Sequence, residues 1–184
     1  MWFGRRTDQK QLSSLEVAKK LEEIFLQGEP REMIQRLKKE FVLLATDTEA
    51  YLCFVALYLL ALRSVFQSGQ LRLSRSVLEK IFQALHDTLL SGLSPFGLLK
   101  IDADAIPKRF AELSKTFCRV WEEGQEKAAG PDWYVAKEVC LILKGGNGEL
   151  PPELILKLSS LLADYGRSIK GFFGELEKER LLIQ

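Results

Sequence analysis

The chain reads as an all-α protein, a single-domain irregular bundle of about six to seven helices with a central apolar helix. Three observations predict this. Apolar residues recur at three- and four-residue spacing through most of the 184 residues. No segment alternates apolar and polar residues for long enough to make a half-buried strand. One run, Ala50 to Leu62, is apolar around its whole circumference, which belongs to a helix enclosed by others.

The elements follow in order. Residues 1–12 are expected to be a flexible segment, and residues 13–184 the helical domain. Ser13 and Glu16 have capping-box spacing, and Val17, Ala18, Leu21, Ile24 and Phe25 follow on one face until Gly28. Pro30 suits the first turn of a second helix, whose apolar face is Met33, Ile34, Leu37, Phe41 and Leu44. Thr46 and Glu49 start the third, central helix, which runs to about Gln67 and stops at Gly69. A fourth, Ser74 to Ser91, carries the stripe Val77, Leu78, Ile81, Phe82, Leu85 and Leu89.

Gly92, Pro95 and Gly97 then break the chain, and Phe96 to Ala105 has no period. Asp104 suits a cap and Pro107 the first turn of a fifth helix, about Ala105 to Glu126. Its apolar side holds Ile106, Phe110, Leu113, Phe117, Val120 and Trp121. Lys108, Lys115 and Arg119 fall within about 40° of one another on the opposite side. After the Gly130-Pro131 break comes a shorter helix ending at Gly145-Gly146. The last begins near Pro151-Pro152, and its stripe runs from Leu154 to Leu176. Gly166, Gly171 and Gly174 interrupt it at roughly 1 kcal/mol each against alanine. They are expected to mark a bend or a close helix approach, and the charged stretch Glu175 to Arg180 is expected to fray.

Composition bounds the function. The hydrophobic share of 47% is too high for a disordered chain, and the length suffices for a core without disulfide or metal staples. A net charge of +1 argues against a general nucleic-acid binder, whose affinity comes from neutralising phosphates. Cys53, Cys118 and Cys140 form no Cys-x-x-Cys pair and read as reduced, apolar thiols of the cytoplasm or an equivalent reducing compartment. Arg5 and Arg6 precede no apolar stretch, so no secretory signal is read. Trp2, Phe3, Arg5 and Arg6 are candidates for peripheral membrane-surface contact, against the plainer reading of a frayed terminus. The apolar run of Ala50 to Leu62 falls short of the roughly 17–25 residues a membrane span takes.

Catalytic motifs are not found. The lone histidine, His86, has no paired Cys/His motif around it. Gly145-Gly146-Asn147-Gly148 lacks the lysine and hydroxyl of a phosphate loop. Glu122, Glu123 and Glu126 lack the Glu-x-x-His pairs of di-metal bundles. No catalytic residue, metal site, cofactor or small-molecule substrate is therefore assigned. The candidates for contact with a partner are the basic stripe Lys108, Lys115 and Arg119, and the aromatic pair Trp133-Tyr134. The competing readings are a solvated helix face for the first and core packing for the second.

Four ordered segments resemble the ubiquinol–cytochrome c chaperone family. Asp47-Thr48 leads into an apolar helix ending Leu59-Leu60-Ala61-Leu62-Arg63. Ile81-Phe82-Gln83-Ala84 opens a second segment. Ile106-Pro107-Lys108-Arg109-Phe110-Ala111-Glu112-Leu113 continues to Thr116-Phe117-Cys118-Arg119. Leu162-Ala163-Asp164-Tyr165-Gly166-Arg167 is similar to a Leu-Ala-x-Tyr-x-Arg pattern near the family's C-terminus. The resemblance spans about residues 46–169, with Tyr58 where the family pattern has a histidine. It implies a non-catalytic assembly chaperone that binds newly made cytochrome b, or another subunit of the respiratory cytochrome b–c complex, at the inner face of a membrane. The alternative is a helical adaptor or regulatory domain with a soluble protein partner.

Overall fold

The computed structural model describes residues 11–69, 71, 73–91, 105–146, 149–178 and 182–183. Seven helices make up nearly all of it: α1 (Ser14–Gln27), α2 (Pro30–Phe41), α3 (Asp47–Gln67), α4 (Arg75–Ser91), α5 (Ala105–Gly124), α6 (Gly130–Leu143) and α7 (Pro152–Lys178). The all-α bundle read from the periodicity is what the chain forms. Helix starts follow the cap chemistry. Ser13 completes a capping box: its hydroxyl accepts from the Glu16 amide at 3.2 Å, and its own amide donates to the Glu16 carboxylate at 2.7 Å. The Thr46 hydroxyl accepts from the Glu49 amide at 3.1 Å, and Ser74 from Val77 at 3.3 Å. Pro30 and Pro131 occupy first turns, where a missing N–H costs nothing.

Helix α3 is the axis of the bundle. Every residue from Ala50 to Leu62 is buried, as is Val65. It packs against α2, α4, α5, α6 and α7, while α1 lies along α4 and the helices α5, α6 and α7 pack in succession. The helix is longer than its uncharged run. At 21 residues it could cross a membrane by length and composition alone, but 78% of its most apolar window is buried inside the domain. That burial is what a core helix requires. Where α1, α3 and α7 meet, Phe25, Tyr51, Tyr58 and Tyr165 form an aromatic cluster, with ring centroids 5.1 Å apart for Phe25–Tyr58 and 5.0 Å for Tyr58–Tyr165. The position that carries histidine in the resembled pattern is thus a core phenol.

Several local expectations are corrected. Two short strands exist, β1 (Gln11–Leu12) and β2 (Leu182–Ile183), paired in parallel; two residues are too few for alternation to signal them. Helix α7 runs unbroken through all three glycines, and no atom of another element stands within 4 Å of where their side chains would begin, so close helix approach does not explain them. Glu175 to Lys178 remain helical because Leu176, buried, continues the stripe. The close approach lies elsewhere: a Cβ on Gly124 would come within 2.8 Å of the Pro131 Cα, so this glycine lets α6 fold back against α5.

Helix α2 ends at Phe41, one turn earlier than its apolar face suggested. Val42 takes a left-handed conformation (φ 49°), which β-branched residues rarely adopt. Leu44, expected on the buried face, is 71% exposed. The connection is held instead by the end of α6, whose Leu143 carbonyl accepts from the amides of Leu44 (2.9 Å) and Ala45 (3.1 Å). The expected cap Asp104 and the stretch from Phe96 lie outside the described residues.

Candidate functional site

Helices α4 and α5 each pack on α3 but barely on each other. Between them lies a groove of about 910 Å³. Its base is formed by buried Ala56, Leu59, Leu60 and Phe110, and half-buried Phe82 flanks it on α4. From α5 the lining residues recur at three- and four-residue spacing, from Pro107 through Ala111, Ser114, Lys115, Cys118 and Arg119 to Glu122. One whole side of α5 therefore faces the groove.

An ion pair helps to fix that rotation. Arg109 donates from Nε to the Glu49 carboxylate at 2.9 Å, and from Nη1 to Glu112 at 3.2 Å. Glu49 belongs to the first turn of α3, so the bridge ties the start of α3 to the start of α5. With Arg109 turned to Glu49 and the apolar face turned to α3, Lys115 and Arg119 stand exposed on the groove side. Arg63 joins them from α3, its Nη1 3.5 Å from the Cys118 sulfur.

Among the described residues the groove thus carries three cations, Arg63, Lys115 and Arg119, against the single carboxylate of Glu122. Among the described residues none of the three has a carboxylate partner. Arg36, Lys38, Arg75, Arg109, Lys157 and Arg167 do, while Lys39, Lys80, Lys108 and Lys137 also have none.

The sequence candidates are partly brought together. Lys115 and Arg119 line the groove, while Lys108 is exposed on α5 outside its lining. Trp133 and Tyr134 belong to α6 and do not reach the site. Trp133 is half-buried against the core, and Tyr134 lies under the ammonium of Lys127 at 4.6 Å. Trp2, Phe3, Arg5 and Arg6 lie outside the described residues. Arg63 was missed as a candidate. Its signal was its place as the first cation after the apolar run of α3, where a charge must find an opening in the packing.

The polar chemistry within the groove does not converge. His86 Nδ1 meets its neighbour Asp87 at 2.9 Å, and its ring packs edge-on to Phe110. Cys118 meets Arg63 instead, and burial pushes its thiol above the ordinary range. Among the described residues no hydrogen bond joins His86 to Cys118, and no group of three or more His, Cys, Asp or Glu side chains is placed to hold a metal. The thiols of Cys53 and Cys140 are buried and free.

No family model, curated protein or solved structure matches the chain.

Proposed function

We propose that this chain is a non-catalytic client-binding protein, an assembly chaperone that holds an apolar helical segment of another protein in the groove between α3, α4 and α5. The client is newly made cytochrome b or another subunit of the respiratory cytochrome b–c complex. The observation that carries the reading is the groove itself, with an apolar base and a cationic rim, framed by three helices. Such a site shields apolar area and fixes its register without reacting with it. The choice of client rests on the ordered motifs. Three of the four motif segments, Asp47 to Arg63, Ile81 to Ala84 and Ile106 to Arg119, belong to the helices that build the groove.

One observation favours the second reading, an adaptor with a soluble partner. Among the described residues the most exposed large aliphatic side chains are spread over three stretches of the chain: Leu15 and Leu26 on α1, Val42 and Leu44 after α2, and Leu156 on α7. The charged rim of the groove also suits contact with a soluble protein.

The test is affinity capture from membranes and cytosol of the source cell with the full chain and with Ala111→Trp, which fills the groove from an exposed position. Cytochrome b recovered by the first and lost by the second supports the chaperone. A soluble protein with the same dependence supports the adaptor. Partners that bind both forms equally count against the groove and against this function.

A further inference from the structure

We infer that the groove selects an acidic amphipathic helix, one whose apolar stripe is flanked by carboxylates a single turn apart. The inference rests on the proposed binding role of the groove and names what the occupant must look like. Lys115 and Arg119 are four residues apart on α5, so their charged ends follow one another along one wall. Arg63 adds a cation from α3. Among the described residues Glu122 is the only carboxylate in the lining, so the field of the described wall is positive.

Among the described residues Arg63, Lys115 and Arg119 have no carboxylate within ion-pair distance, so their charges are open to an occupant of the groove. Their spacing also sets the geometry. From Pro107 to Glu122 the wall extends about 22 Å, or about four helical turns, so the occupant is a helix of similar length lying along α5. Leucine- or phenylalanine-sized side chains on its stripe reach Leu59, Leu60 and Phe110, and Asp or Glu on its flank reach Lys115 and Arg119.

The experiment uses the full chain and two labelled synthetic peptides with the same leucine stripe. One carries glutamates four residues apart beside the stripe, the other lysines. Fluorescence anisotropy is expected to show the glutamate peptide binding roughly tenfold more tightly or better, with the gap narrowing as salt rises. Lys115→Glu combined with Arg119→Glu is expected to invert the preference while leaving the unfolding midpoint unchanged, and Ala111→Trp to abolish binding of either peptide. Equal affinity for the two peptides would overturn the charge rule and leave the groove as a binding site. Peptide binding that survives Ala111→Trp would overturn the groove itself. Two other occupants are separated by direct assays. Sedimentation with phosphatidylglycerol vesicles that depends on Lys115 and Arg119, without any peptide preference, assigns the cations to a lipid surface and overturns the inference. So does a dimer, detected by light scattering, that Ala111→Trp dissociates.

Discussion

The phenol of Tyr58, at the middle of α3, donates its hydrogen to the backbone carbonyl of Leu21 on α1 at 2.7 Å. The bond spans 37 residues of sequence and is buried. It gives a phenol at the centre of the bundle the partner that burial demands. Tyr58→Phe keeps the ring against Phe25 and Tyr165 and removes only the hydroxyl. It is expected to lower stability by about 1 kcal/mol, measured by urea unfolding at neutral pH.

The same cluster governs behaviour in alkali. Burial raises Tyr51, Tyr58 and Tyr165 above the ordinary phenol value of 10.0, and raises the buried Cys53 thiol above 9.0. In each case the folded state holds its proton more firmly than the unfolded chain. Their contribution is therefore complete below the unfolded values and is lost as pH rises through the folded ones. The unfolding midpoint is expected to fall progressively once the pH passes about 9. Tyr58→Phe should fall less steeply than the unmodified chain above about pH 10. A midpoint that is flat in this range would contradict the burial of these groups.

Glycines on two helices should respond in opposite directions. Gly171→Ala and Gly174→Ala place a methyl in open space within α7 and are expected to stabilise by about 0.5–1 kcal/mol each. Gly124→Ala drives a methyl against the backbone of Pro131 and is expected to cost about 1–3 kcal/mol. Thermal unfolding of the three variants settles the order.

The bridge between Arg109 and Glu49 is half open to solvent, with side-chain exposures of 42% and 23%. A double-mutant cycle with Arg109→Ala and Glu49→Ala is expected to give a coupling of about 0.5–1 kcal/mol that shrinks in salt. Loss of the bridge should also weaken binding in the groove, since it helps hold α5 in rotation. Peptide affinity in Arg109→Ala compared with Lys108→Ala, which lies outside the lining, checks this.

The bundle was legible because its determinants are local. Ser13 with Glu16, Thr46 with Glu49, and the stripes of α1, α4 and α7 each fix a helix within a few residues. Helix ends set by distant partners were not. Nothing near Leu44 in sequence announces that its amide will bond to the Leu143 carbonyl, 99 residues on, instead of continuing α2. The groove was half visible for the same reason. The period of α5 put Lys115 and Arg119 together, but only the packing of α4 and α5 on α3 adds Arg63 and the base of Leu59 and Leu60.

Because β1 and β2 run side by side in the same direction, the start of β1 at Gln11 and the end of β2 at Ile183 lie at opposite ends of the pair. A mechanical load applied at those two points would therefore shear the strand bonds together instead of peeling them one by one. Under tension the pair acts as a latch that must slip before force reaches α1 and α7.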